Sequence, residues 1–120
     1  MFEGIQPLGV LINHTTIRLD PTQRERAMDL VAELVEYSRT EDGTVRHRAM
    51  TDVTDPDVVR FFEQYEDVAA AEAHTDSEQY RRFVQSLPEF VDGEIETIQI
   101  TADAVETAEF TAREALETLD

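Results

Sequence analysis

The chain has no cysteine, no lysine and no tryptophan, and only four glycines among its 120 residues. Without cysteine there is no disulfide, thiolate nucleophile, iron–sulfur cluster or cysteine-bound zinc. Gly4, Gly9, Gly43 and Gly93 are too scattered to build a dinucleotide fingerprint or a P-loop. No two histidines stand at i, i+3 or i+4 with a carboxylate, so the spacing carries no first-row metal signal, and the expected metal is none. The acidic stretches lack the glycine-centred spacing of a calcium loop. No apolar run approaches the roughly 18 residues that span a bilayer. The opening Met1-Phe2-Glu3-Gly4 lacks a basic region followed by an apolar one. A cytoplasmic protein without a membrane partner is the expectation.

What is abundant is negative charge. Twenty-seven acidic residues face ten basic ones, for a formal charge of −17. Such a field repels nucleic-acid phosphates. The acids are spread between apolar, periodic segments, which argues for a solvated surface and against a disordered acidic tail. An evenly acidic, lysine-free surface matches the halophile pattern, as in haloarchaeal cytoplasmic proteins. Molar salt shortens the Debye length to about 3 Å and screens the mutual repulsion of the carboxylates.

The hydrophobic fraction of 41% and the length suit one packed core. Alternation predicts a strand from Leu8 to Leu19. Asp20-Pro21-Thr22-Gln23 then predicts a helix start, with Asp20 as cap, Pro21 in the first turn and Gln23 able to complete a capping box. Ala27, Met28, Val31, Leu34, Val35 and Ser38 follow the spacing of a buried helical stripe. Gly43 is placed to end that helix. Thr44–Thr51 and Val58–Tyr65 are predicted strands joined through Asp55-Pro56. Asp67 and Ser77 cap two short helices, the second burying Tyr80, Phe83, Val84 and Leu87 and stopping at Pro88. Glu94–Ile100 is a last strand, and Ala102–Leu119 an acidic helix with a stripe at Val105, Ala108, Ala112, Leu116 and Leu119.

This order is the ferredoxin-like βαββαβ arrangement of an α+β fold: a four-stranded antiparallel sheet with helices on one face, plus a C-terminal helix. Residues 1–100 form the domain and 101–120 a helical extension. Period-2 alternation divides the sheet. Asn13, Thr15, Ile17, Leu19, Val45, His47, Ala49, Phe61, Glu63 and Tyr65 fall on the side beneath the helices. Ile12, His14, Thr16, Arg18, Arg46, Arg48, Met50, Arg60 and Phe62 fall on the other, which is either solvated or covered by a second copy.

Ile17-Arg18-Leu19-Asp20-Pro21, Glu41-Asp42-Gly43, Phe62-Glu63-Gln64-Tyr65-Glu66-Asp67 and His74-Thr75-Asp76-Ser77 resemble, in order and spacing, the antibiotic biosynthesis monooxygenase family over roughly residues 9 to 100. The resemblance implies a homodimer whose sheets pack face to face into an α/β barrel, with a pocket between sheet and helices in each subunit. It also implies oxidation of quinols or polycyclic phenols by O2 without flavin, haem or metal, so the expected cofactor is none. Within the family the likeness is to the quinol-monooxygenase type. Tyr65 stands where the family often has tryptophan, and Gln79 where it often has histidine. Tyr80-Arg81-Arg82-Phe83 lacks the axial histidine of the haem-degrading relatives, which disfavours that branch.

Cofactor-free oxygenation requires an electron-rich substrate anion, hence a base, an apolar pocket and donors to hold the anion. His14, His47 and His74 are the only histidines, and a free imidazole pKa of about 6.5 suits the task. His74 matches the family's recurrent histidine and is the first candidate; its other reading is a helix-terminal group bonding the Asp76–Ser77 turn. His47 is next by parity, or is a core histidine tied to a neighbour. His14 lies on the opposite face. Glu63 needs a partner on the helix side of its strand; it orients a histidine, acts as base, or bonds a helix N-terminus. Asn13, Thr15, Phe61, Tyr65, Tyr80 and Phe83 are the candidate substrate-binding residues, the aromatics doubling as ordinary core. A non-catalytic dimer binding a small aromatic ligand, and an isomerase or decarboxylase on the same barrel, are the alternatives.

Overall fold

Four alternating segments form one antiparallel sheet in the computed structural model, which describes residues 10–119. They are β1 (Val10–Arg18), β2 (Thr44–Thr51), β3 (Val58–Tyr65) and β4 (Glu96–Ala102), in the spatial order β2-β3-β1-β4. With α1 (Arg24–Ser38), α2 (Val68–Asp76) and α3 (Glu78–Phe90) between them, this is the ferredoxin-like arrangement. The expected first residues of β1, Leu8 and Gly9, lie outside the described residues.

The registers fix the site. On β1, Asn13 sits opposite Glu63 and Thr15 opposite Phe61. On β2, His47 sits opposite Glu63. The core beneath the helices is Ile17, Val59 and Phe61 from the strands and Leu19 just after β1, with Ala27, Val31, Val35 and Phe90 from the helices.

Local chemistry sets the helix ends. Asp20 accepts from the Thr22 amide and leads through a 3-10 turn, Pro21–Gln23, into α1. Gln23 makes no capping bond, so the expected capping box is replaced by the Asp20–Thr22 bonds. Asp67 caps α2 through the Ala70 amide, and Ser77 caps α3 through the Tyr80 amide. Gly43 adopts φ +83°, and a Cβ there would lie 2.5 Å from that of Ala70.

Several expectations need correction. Helix α3 passes through Pro88 and ends at Phe90. Burial of Phe90, the Val91 to Leu87 amide bond and the Leu19–Val91 bridge hold that last turn together despite the donor lost at Pro88. Of this helix only Phe90 is fully buried, and Val84 is exposed, because its stripe borders a cavity. Val45 is exposed as well, since an irregularity between Thr44 and Arg46 takes it out of register. The last helix, α4, covers only Ala112–Glu117, with a Thr111–Glu114 capping box. Its expected stripe buries nothing: Leu116 and Leu119 are exposed, and a helix without a packed face is marginal in water.

On the opposite sheet face Ile98 and Ile100 remain about half exposed, at 49% and 48%. They stand beside His14 and Ile12 of β1. No helix among the described residues is long and apolar enough to cross a membrane.

Candidate active site

Two strands, a turn and helix α3 converge on His74. It occupies the last turn of α2 and is buried, with its ring centroid 5.0 Å from Tyr80, 5.3 Å from His47 and 5.6 Å from Tyr65. Nδ1 of His74 lies 2.7 Å from Oε1 of Glu41. Glu41 belongs to the turn after α1, where Gly43 accepts the Glu66 amide and so ties the turn to the segment entering α2. With Nδ1–H donating to Glu41, Nε2 keeps a lone pair and has no hydrogen-bond partner.

Glu63 faces the same point from β3. Its Oε1 lies 3.7 Å from Nε2 of His74 and 3.7 Å from Nε2 of His47, too far for hydrogen bonds. It accepts one from the Tyr65 hydroxyl at 2.5 Å. Burial first, then the Glu63 charge, pushes the Tyr65 phenol far above its ordinary range, so the hydroxyl stays a donor. Burial and Glu63 also raise Tyr80.

His47 is buried, and neither ring nitrogen has a partner. Desolvation, with smaller effects from His74 and Arg39, lowers its pKa to about 4. At neutral pH it is uncharged, and its approach to Glu63 is not an ion pair.

A cavity of about 190 Å³ opens beside this cluster. Glu63 and His74 supply its polar wall; Thr15, Phe61, Tyr80 and Phe83 are among the residues around it, with Ile17, Leu34 and Leu87 adding apolar surface. The Thr15 hydroxyl bonds that of Thr97 on β4, 3.0 Å away.

The structure therefore brings together His74, Glu63, His47, Tyr65, Tyr80, Phe61, Phe83 and Thr15. Asn13 stands apart. It lines a different cavity, about 220 Å³, with Val68, Ala71 and Thr75 of α2. Parity gave its sheet face correctly, but α2 crosses that face. Glu63 bonds neither a histidine nor a helix N-terminus, and His74 is oriented by Glu41, which spacing did not single out as a site residue. The only sequence clue was its position before Asp42-Gly43, a turn that must close tightly.

Spacing also gave no metal signal, yet one donor atom each from His47, Glu63 and His74 lie within 4.8 Å of one another. They come from β2, β3 and α2, so their proximity is tertiary and leaves no short motif.

Comparison with curated proteins gave no match. Among solved structures, a protein from Pseudomonas aeruginosa superposes with a TM-score of 0.74 at 25% identity, covering 83% of this chain and 100% of that one. A structure described as an antibiotic biosynthesis monooxygenase gives 0.72 at 25% identity, covering 80% and 99%. A Mycobacterium tuberculosis protein gives 0.75 at 17% identity, covering 82% and 99%, a likeness of fold alone. The antibiotic biosynthesis monooxygenase family model matches residues 10–86, which include Glu41, His47, Glu63, Tyr65 and His74, and the chain belongs to that family.

Proposed function

We propose that the protein is a monooxygenase that oxidises a single-ring quinol or related phenol with O2, using His74 as the base. The observation that carries this reading is the bare Nε2 of His74, held by Glu41 and bordering an otherwise mainly apolar cavity. Size supports a small substrate, since a cavity of roughly 150 Å³ holds benzene and this one measures about 190 Å³.

The chemistry follows from charge. A quinol hydroxyl seated in the cavity passes its proton to Nε2, and Glu41 stabilises the resulting imidazolium as a buried carboxylate does in a catalytic triad. The quinolate, surrounded by Phe61, Phe83 and Leu87, is a strong one-electron donor in this poorly hydrated space. It gives one electron to O2, and the semiquinone and superoxide combine at a ring carbon. Loss of water from the peroxide leaves a hydroxyquinone: one oxygen atom enters the product, the other leaves as water, and O2 is the sole oxidant. Thr15 and Tyr80 line the same cavity, and their hydroxyls would supply donors for the anion.

A homodimer through the open sheet face completes the proposal. Ile98 and Ile100 with Ile12 and Phe62 offer an apolar strip beside the arginines of β2 and β3, an arrangement suited to sheet-on-sheet packing.

The test is oxygen uptake with monocyclic and polycyclic quinols in molar KCl. Uptake with a monocyclic quinol, lowered roughly 10²- to 10⁴-fold by His74→Ala, is the expected result. No uptake with any quinol, or uptake indifferent to His74→Ala, rejects it. Tight binding of the quinol without turnover would favour a ligand-binding dimer.

A further inference from the structure

We infer that His47, Glu63 and His74 form a binding site for a first-row divalent ion of the Zn2+ or Co2+ kind. Two imidazoles and a carboxylate meet here with no hydrogen bond between any of them. Nε2 of His74 and both nitrogens of His47 are buried without a partner, and Oε1 of Glu63 lies 3.7 Å from each Nε2. Buried polar atoms are rarely left unpaired, and a cation placed among these three residues would satisfy both Nε2 atoms at once.

The geometry is close to what such an ion needs. Tetrahedral bonds of about 2.1 Å put neighbouring donors about 3.4 Å apart, a few tenths of an ångström inside the observed 3.7 Å. The three donor atoms lie within 4.8 Å of one another, so modest side-chain rotation closes the set. Two imidazoles and one carboxylate suit zinc and the neighbouring transition ions, whereas magnesium and calcium favour all-oxygen sites. The surroundings fit as well. Glu41 holds the far nitrogen of His74 at 2.7 Å, the carboxylate–histidine arrangement common behind metal ligands. Tyr65 donates to Glu63 and leaves that carboxylate further lone pairs. The adjoining cavity, bordered by Glu63 and His74, leaves room for a fourth ligand such as water.

This inference goes beyond the proposed oxidation and does not depend on it. Both use Nε2 of His74, so a bound ion and an abstracted proton compete for one lone pair, and Zn2+ at saturating concentration stops turnover by the base route.

The experiment is calorimetric titration of chelator-treated protein with ZnCl2 in molar KCl, with excess Mg2+ present to occupy surface carboxylates. One Zn2+ per chain is expected, with affinity at least 100-fold weaker in His47→Ala, His74→Ala and Glu63→Gln, and roughly tenfold weaker in Glu41→Gln. Titrations of the wild type and the His47→Ala/His74→Ala double variant that superimpose overturn the site. Co2+ added to the wild type provides a readout independent of any variant's folding. Intense tetrahedral or five-coordinate visible bands support the site, and the weak spectrum of the hydrated ion sinks it. No quinol or oxygen enters these measurements, so loss of ion binding leaves the oxidation reading intact, and absence of oxygen uptake leaves the ion site intact.

Discussion

Glu41 and His74 stand 33 residues apart in sequence and 2.7 Å apart in space. The bond selects the imidazole tautomer in which Nδ1 carries the hydrogen and Nε2 is free. Glu41→Gln replaces an acceptor with an amide that can donate to Nδ1, favouring the opposite tautomer. In the proposed reaction this lowers kcat by roughly 10²-fold, with KM little changed, because the cavity wall is left in place. Steady-state oxygen uptake measures both constants. Equal activity in the wild type and Glu41→Gln would remove the positioning role.

The buried, neutral His47 makes stability depend on pH. Its folded pKa of about 4 lies below its unfolded value of 6.5. Between these limits the unfolded chain binds a proton that the folded chain refuses, so stability falls as pH drops from 6.5 to about 4. The full effect is about 3 kcal/mol at most. Asp52, held near 2 by hydrogen bonds from Thr54 and Arg60, loses its contribution only below its ordinary value of 3.8, under this window. Denaturant melts at pH 7, 5.5 and 4.5 should show the decline, and His47→Gln should flatten it. A wild type equally stable at all three pH values contradicts the assignment.

Gly43 sets the turn that carries Glu41. Alanine there would combine a strained positive φ with a Cβ placed 2.5 Å from Ala70. We expect Gly43→Ala to destabilise the fold by about 2 kcal/mol or more and to move the turn away from α2. Thermal melts and His74 ring chemical shifts report the two effects separately.

Charge on the open sheet face should prevent the proposed self-association. Ile98→Asp with Ile100→Asp replaces two half-exposed side chains and places like charges opposite one another across the two-fold interface. Light scattering in molar KCl should give a dimer for the wild type and a folded monomer for the double variant. A wild-type monomer at micromolar concentration rejects the interface.

The formal charge of −17 predicts a requirement for salt. Lowering KCl from molar to about 0.1 M extends the Debye length from about 3 to about 10 Å, exposing the carboxylates to one another. Loss of ellipticity on dialysis is the expected outcome, reversed by returning the salt. Full structure in dilute buffer would argue that the acidic surface has another origin.

The backbone was largely legible because its signals are local. Val58–Tyr65 is a short run rich in β-branched and aromatic residues, and Asp67 and Ser77 each bond the amide three residues on. Parity was enough to gather His47, Glu63 and Tyr65 on one face. What it could not supply was lateral position: Asn13 shares that face but meets the other flank of α2. Nor could it reveal Glu41, whose role depends on a turn closing against a helix more than thirty residues later. The C-terminal helix was overestimated for a related reason. Periodicity from Val105 to Leu119 indicates a stripe, but only a packed surface makes a stripe worth folding, and Leu116 and Leu119 are exposed.

Because Glu41, His47, Glu63 and His74 arrive from a turn, two strands and a helix, no single element carries this constellation. Glu41 reaches His74 across 33 residues of chain, and the ensemble exists only once that long loop has closed. A collapsed chain with its helices and hairpin formed, but with α2 undocked, would show ordinary far-ultraviolet dichroism and yet lack every contact among these side chains. The environment of the His74 ring is thus a reporter of completed tertiary assembly, sensitive to partial unfolding that bulk secondary-structure probes overlook.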